Sequence, residues 1–593
     1  MTAAFDADKT EYDVVVVGSG AGALSAAVTA AKLGLDVIVV EKEPFFGGTT
    51  ARSGGVLWVP CSPQAKALGI DDSPEAARTY LQHEAGEHFD ADRVDAFLKA
   101  GPEAVEFFEK NSSVKFVAVP DFSDYHPDAP GGRSGGRSIL AAPFSGTELG
   151  EEIRRLRPPL KEITFVGMMF NASQEIQHFF NVTRSLKSAI YVTKRLSQHA
   201  REMLKHGRAM RLTNGNAFAA RLAKSAFDLG VPIVTEAPVR RIVMDGARAK
   251  GVEVEVQGRI KSLVARRGVV LGTGGFPQDP ARRGELFPHA PTGVEHWSPA
   301  PPGNTGDGWR MAEAVGAQGI SDLPNAGAWI PVSVVPRGKG EFGVFPHLID
   351  RYKPGVIAVT RDGKRFVNEA NSYHDFGQAL QKACKGKDET VAWLITDHRA
   401  LRRYGLGFVK PFPIPLFPHL RSGYLIRGRS VEELAQRAGI DAKALAQTIR
   451  SLNADALNGE DKQFGKGSTA YNRFLGDANH KPNPCIAPIE DGPFYAIKVV
   501  MGDLGTFAGL RTDSCARVIG KEGRAIDGLY AVGNDAASVM GGNYPGGGIT
   551  LGPALAFGYI AGRHLASLES SPNEIQAPRA SSTKVAREPL LAS

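Results

Sequence analysis

Short apolar runs on either side of a helical stretch form the first clear pattern in the chain. Residues 14–17 (VVVV) and 36–40 (DVIVV) have the composition of strands buried on both faces of a parallel sheet. Between them, residues 23–33 are rich in alanine and predict a helix, which Gly34 ends. The pattern therefore predicts a β-α-β unit and, with it, an α/β fold.

The turn between the first strand and the helix is built from glycines. Gly18 and Gly20 begin a G-x-G-x-x-G fingerprint in which Ala23 takes the third glycine position, and Gly22 lies between them. Gly18 permits the tight turn, Gly20 lets the backbone approach a pyrophosphate, and the helix N-terminus offers free N–H groups to the anion. Glu41 follows the second strand, where an acid would hold a ribose hydroxyl. Together these features predict a dinucleotide site, whereas the glycines alone would fit an ordinary loop.

The later chain continues this alternation and then departs from it. Residues 72–111 are helical in pattern, and strands with an intervening helix return at 213–271. From about Trp329 the chain shifts to short β-like segments and prolines, followed by helical residues 430–457 and a strand at 529–532. We therefore predict a nucleotide-binding domain at 1–330 with a basic helical insertion at 151–211, a catalytic domain at 331–501, a return to the first domain at 502–568, and a disordered tail at 569–593.

Composition limits the classes of function. A chain of 593 residues is too long for one hydrophobic core, and no apolar run approaches the roughly eighteen residues of a membrane span. Cys61, Cys384, Cys485 and Cys515 lack C-x-x-C spacing, so neither a disulfide framework nor a metal site is predicted. A net charge of +7 without a compact basic motif argues against nucleic-acid binding. Because no basic-then-apolar signal segment precedes the first strand, we expect a cytoplasmic protein.

A second cluster of glycines and hydroxyl side chains follows the β-α-β unit. Residues 43–60 (EPFFGGTTARSGGVLWVP) can wrap backbone donors around a flat polar ring system, although an ordinary turn-rich loop has a similar composition. With G-S-G-x-G at 18–22 and E-K at 41–42, the G-G-T-T-x-x-S-G-G motif at 47–55 resembles the FAD-binding front end of the fumarate reductase and 3-ketosteroid dehydrogenase flavoprotein superfamily. The resemblance implies a Rossmann-like FAD-binding domain with an inserted α+β catalytic, or capping, domain.

The resemblance also implies which residues contact FAD. Residues 546–548 (GGG) precede a predicted helix at 549–565, whose N-terminus would face the flavin and stabilise the negative charge of its reduced form, although a glycine hinge has the same sequence. Because residues 47–55 contain no histidine or cysteine, we predict that FAD is bound non-covalently. The predicted cofactor-binding residues are Gly18, Gly20, Gly22, Ala23, Glu41, Lys42, Gly48, Thr49, Thr50, Ser53, Gly54, Gly55, Val239, Gly274, Gly533, Asn534, Asp535, Ile549, Thr550 and Leu551.

The chain lacks the cationic residues of the fumarate reductase branch. That branch has an arginine after its N-E motif, where this chain has Tyr373, and another arginine near the C-terminal glycines, where this chain has Tyr544. It also has histidines before a threonine, where this chain has Leu504 and Gly505 before Thr506. A dicarboxylate would find little to pair with, and the burial of an unpaired dianion is costly. A neutral, apolar ketone is the predicted substrate instead.

The same positions resemble the 3-ketosteroid Δ1-dehydrogenase family. Tyr373 follows the N-E motif, Tyr544 and Gly548 lie in Y-P-G-G-G, and Phe122 and Tyr125 form the F-S-D-Y loop. The resemblance implies that Tyr544 and the Gly548 N–H hold the C3 ketone oxygen of a steroid. It implies equally that Tyr373 removes the C2 proton with Tyr125 hydrogen-bonded to it, and that Phe122 contacts the substrate. Any one of these tyrosines alone would more often be structural.

The sequence leaves three functions open. The first is introduction of a C1–C2 double bond into 3-ketosteroids, as in steroid catabolism, with an external electron acceptor that the sequence does not identify. The second is a related flavoenzyme that acts on another bond, either a Δ4-dehydrogenase or a fumarate-reductase-like ene-reductase. The third is a flavoprotein that binds apolar ligands or transfers electrons without catalysis. The identity of the product separates the first two, and flavin bleaching by ligand alone argues against the third.

The segment 151–211 is the part of the chain where the resemblance is weakest. It combines a helical tendency with apolar residues and with many lysines and arginines. A basic amphipathic helix can lie on an anionic membrane, where a water-insoluble steroid also collects. This interpretation predicts peripheral attachment to the inner membrane face, whereas a solvated helical face packed on its own domain predicts none.

Overall fold

The predicted β-α-β unit lies at the centre of the largest sheet. The computed structural model describes residues 9–170, 175, 178–179 and 181–568. The first strand is Glu11–Val17, the helix is Ala21–Lys32 and the second strand is Val37–Val40. The helix begins two residues before the predicted start, with Gly20 as its N-cap. The predicted tail at 569–593 falls outside the described residues.

The parallel strands of this sheet are ordered so that their carboxyl ends meet at one edge. Their order is Ile233–Val234, Val37–Val40, Glu11–Val17, Arg259–Leu271 and Ala525–Ala531. The antiparallel strands Arg248–Val256, Val239–Asp245 and Arg517–Ile519 extend the sheet. The backbone turns at Gly18 with a φ of +100°, and a Cβ there would lie 2.2 Å from the Gly272 carbonyl oxygen. Gly18 is therefore required by close approach between neighbouring strand ends.

One face of the large sheet is covered by helices. Ala21–Lys32 packs against the long C-terminal helix Leu551–Ser567 and against Asn214–Asp228. Val14 and Val16 of the first strand, with Leu555 of the C-terminal helix, belong to one fully buried cluster. The two ends of the chain thus build one core, as expected for a nucleotide-binding unit to which the chain returns.

A second sheet is antiparallel and lies between the two passages through the first. Its strands run in the order Glu341–Pro346, Gly327–Gly338, Phe494–Thr506, Val391–Thr396 and Val356–Val359, and Ile426–Gly428 also pairs with Phe494–Thr506. The helix Tyr373–Ala383 packs on Gly327–Gly338. This combination of a parallel-sheet unit and an inserted α+β unit confirms the predicted fold class.

The remaining elements connect these two sheets. The other short strands are Val56–Trp58, Phe116–Ala118, Ser138–Ala141, Phe144–Ser145, Arg211–Leu212, Gly319–Ile320 and Gly509–Leu510. The other α-helices are Pro63–Ala67, Pro74–Ala85, Ala91–Asn111, Leu186–His206, Pro280–Leu286, Asp307–Ala314, His398–Tyr404, Phe417–Arg421, Val431–Ala438, Ala442–Ala456 and Ala470–Phe474. Single 3₁₀ turns are found at Thr50–Arg52, Gly86–His88, Lys161–Ile163, Asp350–Tyr352 and Gly533–Asp535, with a longer one at Gly146–Arg155. Within the described residues, no helix is both long and apolar enough to cross a membrane.

The described part of the segment 151–211 contains one long α-helix. Its described part has the 3₁₀ turns named above and one long α-helix, Leu186–His206, between the N-cap Ser185 and the left-handed Gly207. Val192 and His199 face inward, whereas Leu186 and Leu204 are 79% and 89% exposed. The helix therefore packs through a narrow face and leaves apolar side chains in solvent.

Candidate active site

A deep cavity opens where the strand ends of the large sheet meet. Most of the predicted cofactor-binding residues line it: Gly18, Gly20, Gly22, Ala23, Glu41, Lys42, Gly48, Thr49, Thr50, Ser53, Val239, Gly274, Gly533, Asn534, Thr550 and Leu551. The N-termini of Ala21–Lys32 and Leu551–Ser567 both reach this lining, and neither N-cap residue supplies a capping side chain, although the Thr50 hydroxyl accepts from the Ala21 N–H at 2.9 Å. Uncapped helix N-termini leave N–H donors free for an anion or a carbonyl. The donor set therefore fits a dinucleotide with a polar ring at one end.

Four predicted residues do not line this cavity. Gly54 is exposed, and a Cβ on Gly55 would lie 2.2 Å from the Asn214 carbonyl carbon. Asp535 accepts hydrogen bonds from the Thr273 N–H and hydroxyl and from the Gly275 N–H, so it holds the 272–276 turn. Ile549 is buried and faces a smaller adjoining cavity.

Glu41 is held by a partner that the sequence motif does not indicate. The Ser19 hydroxyl donates to its carboxylate at 2.5 Å and also accepts from the Gly47 N–H at 3.0 Å. Burial raises the pKa of Glu41, although the Glu43 N–H and Ser19 oppose the shift. Ser19 thus connects the first glycine loop to the second.

Two further side chains complete the cavity wall. Asn304 donates to the Thr49 hydroxyl at 2.9 Å and to the Gly274 carbonyl at 3.1 Å, so it joins two loops of the lining. Arg157, from the basic segment, lines the cavity and pairs with Glu43 at 3.2 Å. Sequence reasoning missed Arg157 because nothing distinguishes it from the other cations of that segment.

The three predicted tyrosines meet in one buried cluster. Tyr125, Tyr373 and Tyr544 are 5%, 6% and 4% exposed. The Tyr125 and Tyr373 rings are 5.5 Å apart edge to face, the Tyr125 and Tyr544 rings are stacked at 5.5 Å, and the Tyr373 and Tyr544 rings are 5.0 Å apart. The Tyr125 hydroxyl donates to the Tyr373 hydroxyl at 2.7 Å. The chain therefore brings together three phenols from segments that are far apart in sequence.

Each tyrosine is placed by a different local device. Tyr373 is the first residue of a helix that Ser372 caps by accepting from the Asp375 N–H at 3.0 Å. The Tyr125 N–H donates to the Pro545 carbonyl at 2.9 Å, which connects its loop to the residue after Tyr544. Tyr373 therefore lies in the positive field of a helix N-terminus, and Tyr125 is fixed to the Tyr544 loop.

Gly548 and Phe122 lie beside the cluster. The backbone of Gly548 has a φ of +101°, and a Cβ there would lie 2.6 Å from the Trp58 nitrogen, so no other residue fits without movement. Phe122 packs against Phe474 with ring centroids 5.1 Å apart, and its ring lies close to Gly547. Phe122 therefore contributes apolar surface next to the phenols.

Sequence reasoning missed a second pair of phenols. The Tyr471 ring lies 4.6 Å from that of Tyr125, and the Tyr471 and Tyr352 hydroxyls are 2.6 Å apart. The fully buried Arg351 donates to the Tyr352 hydroxyl at 3.3 Å and to the Glu369 carbonyl at 2.5 Å. No motif contains Tyr471, which comes from a short helix without any sequence signal, so only the packing identifies it.

Burial controls the ionisation of the phenols. It raises the pKa of Tyr373 and of Tyr125 well above the usual value, and neighbouring phenols add to the effect. It also raises the pKa of Tyr544 to about 12, against hydrogen bonds to Tyr373 and Thr550 that favour the anion. At neutral pH all three tyrosines are therefore protonated when the site contains no substrate.

Comparison with known proteins is consistent with this geometry. The chain matches the FAD binding domain family over residues 13–551, and it belongs to that family of flavoproteins. It is 44% identical to a 4-oxocyclohex-2-ene-1-carboxylate 5-dehydrogenase of Sinomonas cyclohexanicum, over 94% of each chain. It is 38% identical to a 3-oxosteroid 1-dehydrogenase of Mycobacterium tuberculosis, over 94% of this chain and 98% of the relative.

A solved structure gives the same result. The crystal structure of 3-ketosteroid Δ1-dehydrogenase from Sterolibacterium denitrificans, in complex with 1,4-androstadiene-3,17-dione, matches with a TM-score of 0.87 at 37% identity, over 94% of this chain and all of that chain. Within the flavoproteins, this chain therefore belongs to the dehydrogenases related to 3-oxosteroid 1-dehydrogenase. The predicted family and the predicted FAD cofactor are confirmed.

Proposed function

We propose that this protein introduces a C1–C2 double bond into 3-ketosteroids. The observation that carries the proposal is the 2.7 Å hydrogen bond between the Tyr125 and Tyr373 hydroxyls beside Tyr544 and Gly548. Oxidation of a C–C bond next to a ketone requires a base for the proton alpha to the carbonyl, donors for the developing enolate, and a hydride acceptor. FAD, when bound in the cavity, supplies the hydride acceptor.

The tyrosines divide the proton chemistry between them. The Tyr544 hydroxyl and the Gly548 N–H donate to the C3 oxygen of the ketone, which acidifies the neighbouring C2–H. Because the Tyr373 hydroxyl is protonated at rest, it first releases its own proton to solvent, and the resulting tyrosinate then accepts the C2 proton. The high pKa of Tyr373 makes that anion a strong base, and the hydrogen bond from Tyr125 and the helix N-terminus at Tyr373 both favour its formation.

A second candidate substrate is a small cyclic ketone that carries a carboxylate. Two relatives favour it by name: the 5-dehydrogenase described above, and a 4-oxocyclohexanecarboxylate 2-dehydrogenase of Sinomonas cyclohexanicum that is 35% identical over 94% of this chain and 93% of the relative. Both names describe oxidation beside a ring ketone, so the phenol chemistry would be unchanged. What differs is the need for a cation to bind the carboxylate.

Arg52 is the candidate cation for such a carboxylate. It lies next to Ser53 of the cavity lining, and one of its terminal nitrogens donates to the Pro299 carbonyl at 2.9 Å. Its buried Nε has no hydrogen-bond partner among the described residues. Burial and the charge of Arg157 lower its pKa to about 10, which still leaves it charged at neutral pH. The Arg52 side chain therefore retains a donor for an anionic group.

Anaerobic mixing with a panel of ketones tests the function. The panel contains a saturated-ring 3-ketosteroid, a 3-ketosteroid already unsaturated at C1–C2, and 4-oxocyclohexanecarboxylate. We expect the first to bleach the flavin absorbance and to yield the Δ1 product. A Δ4 product would assign the protein to a different dehydrogenase, and reduction of the unsaturated steroid by chemically reduced enzyme with no forward reaction would make it an ene-reductase. Bleaching by the carboxylate alone would establish the second candidate, and no bleaching by any ketone would leave a binding or electron-transfer role.

The mode of FAD attachment and the membrane contact extend this proposal. No histidine or cysteine lines the cavity among the described residues, which supports non-covalent binding.

The exposed face of Leu186–His206 carries Leu186, Ile190 and Leu204, at 79%, 62% and 89% exposure, beside exposed lysines and arginines. An apolar stripe flanked by cations fits an anionic bilayer surface, from which a water-insoluble steroid would be taken.

A further inference from the structure

The three phenols of the cluster come from three separate segments of the chain. Tyr125 lies on a loop, Tyr373 begins a helix of the second sheet unit, and Tyr544 precedes the C-terminal helix. One link is the Pro545 carbonyl, which accepts from the Tyr80 hydroxyl at 2.6 Å and from the Tyr125 N–H at 2.9 Å. This link fixes Tyr125 relative to Tyr544, whereas Tyr373 meets Tyr125 through the hydroxyl–hydroxyl hydrogen bond itself.

His126, the residue after Tyr125, links the Tyr125 loop to the helix that begins at Tyr373. Its Nδ1 lies 2.7 Å from a carboxylate oxygen of Glu84, and its Nε2 lies 3.1 Å from a carboxylate oxygen of Asp375. Burial opposes the charge on the ring, but the hydrogen bonds and charges of Asp375 and Glu84 outweigh it and raise the pKa of His126 to about 10. At neutral pH both ring nitrogens therefore donate, and the imidazolium holds two carboxylates at once.

One carboxylate lies on a segment that carries a phenol, and the other contacts the residue before Tyr544. Asp375 lies two residues after Tyr373, in the first turn of the same helix. Glu84 lies in the last turn of the helix Pro74–Ala85, and its backbone carbonyl accepts from the Asn543 side chain at 2.6 Å, next to Tyr544. The Glu84 side chain is 7% exposed and that of Asp375 is 23% exposed, so solvent screens neither ion pair fully.

We propose that His126 is a positioning residue, a clamp that holds the Tyr125 loop on the helix that begins at Tyr373. The inference rests on the proposed function of the phenol cluster. The clamp fixes the 2.7 Å hydroxyl separation on which the tyrosinate depends, because Tyr125 and Asp375 then move as one unit. The His126 side chain is 39% exposed, so it acts from the outer side of the cluster. A misplacement of about 1 Å costs roughly a hundredfold in rate when it separates reacting groups.

Single-turnover flavin reduction by a ketone substrate tests the clamp. We expect His126→Ala to lower the limiting rate by roughly ten- to a hundredfold, with substrate KM and FAD content close to those of wild type. Added imidazole should restore part of the rate, because it can occupy the partly exposed space between Glu84 and Asp375. His83→Ala is the matched control, since His83 also contacts Glu84, at 3.3 Å, but reaches no part of the phenol cluster. This control should retain the wild-type rate.

The outcomes separate the clamp from the proposed function. An unchanged limiting rate in His126→Ala, with wild-type turnover intact, would overturn the clamp. If that variant fails to fold, Asp375→Asn replaces it, since the amide keeps the shape of the side chain while it removes one ion pair. If wild type turns over no ketone, the proposed function fails. The clamp is then tested by comparing the near-ultraviolet circular dichroism of wild type and His126→Ala, which reports on the packing of the phenols. A spectrum that His126→Ala leaves unaltered would refute the clamp in that case also.

Discussion

Tyr125 and Tyr373, which lie 248 positions apart in the sequence, share a 2.7 Å hydrogen bond in which Tyr125 is the donor. The direction of this bond matters because only a donor to Tyr373 favours its anion. Burial raises the pKa of both phenols, so a tyrosinate cannot persist at rest and must form together with substrate binding. The pair is thus suited to transient proton transfer next to an activated C–H bond.

Replacement of Tyr373 by phenylalanine tests its role as the base. We expect Tyr373→Phe to slow flavin reduction by the ketone by about 10²- to 10⁴-fold, since it removes the proton acceptor and little else. FAD content and steroid affinity should stay close to wild type. Tyr559→Phe is a suitable control, because the Tyr559 hydroxyl accepts from the exposed Arg563 away from the cluster. A near-normal rate in Tyr373→Phe would show that the base lies elsewhere.

Replacement of Gly548 by alanine tests the close approach of the glycine turn to the Val56–Trp58 strand. A Cβ at Gly548 would lie 2.6 Å from both the Trp58 nitrogen and the Val56 oxygen, and the residue has a φ of +101°. We expect Gly548→Ala to lower FAD content and to unfold at a lower temperature than wild type. Gly34→Ala separates the two effects, since Gly34 has a φ of +92° but no atom within 4 Å of a Cβ. This control should lose only the conformational cost, about 1–2 kcal/mol.

The sequence specifies the cofactor site more completely than the catalytic site. Gly18, Gly20 and Glu41 are readable because strand, helix and acid follow in a fixed local order, and the structure places all three on the cavity wall. Gly55 lies in the second glycine motif, yet it packs on Asn214, so a motif position does not by itself give contact with the cavity. Local order predicts which loop approaches the cofactor, but packing decides which atom faces it.

Residues that act through distant contacts give no such signal. Tyr471 comes within 4.6 Å of Tyr125 only because a connecting helix of the second sheet unit folds over the phenols. Arg157 reaches the cavity from a segment whose many cations look alike in the sequence. Asp375 could be seen near Tyr373, but its pairing with His126 joins positions 249 residues apart. These relationships are properties of the tertiary structure alone.

Acid treatment tests the prediction of non-covalent FAD. Denaturation of the holoenzyme should release all of the yellow colour into the supernatant, because no histidine or cysteine lies in residues 47–55 or, among the described residues, on the cavity wall. The absorbance of supernatant and pellet measures the outcome directly. Colour that remained with the precipitated protein would contradict the prediction.

The ion pairs of His126 predict a pH dependence of stability. The pKa of His126 is about 10 in the folded protein, against an ordinary value of about 6.5, so the folded state binds more protons between these two values. The stabilisation by the clamp is therefore complete below about pH 6.5, declines as the pH rises, and is lost above about pH 10. We expect the difference in melting temperature between wild type and His126→Ala to shrink over that range. A difference that is constant with pH would mean that His126 contributes only by packing.

Flotation with liposomes tests the exposed face of the helix Leu186–His206. Leu186, Ile190 and Leu204 project into solvent, and the neighbouring Lys187, Lys194, Arg201 and Lys205 are exposed and form no salt bridge with any described residue. We expect co-flotation with vesicles that contain anionic lipid, weaker binding at high salt, and no binding to neutral vesicles. Substitution of the three apolar residues by serine should abolish flotation and leave flavin content unchanged.

A matched control places the same change on another surface. Leu68 and Leu457 are 57% and 76% exposed, far from this helix in sequence, and serine there should leave flotation intact. Loss of flotation after each of the two sets of serine substitutions would show that the vesicles bind exposed apolar residues in general rather than this helix. Absence of flotation in the wild type at every salt concentration would leave the helix a solvated face of its own domain, because an anionic surface should attract its four exposed cations most strongly at low salt.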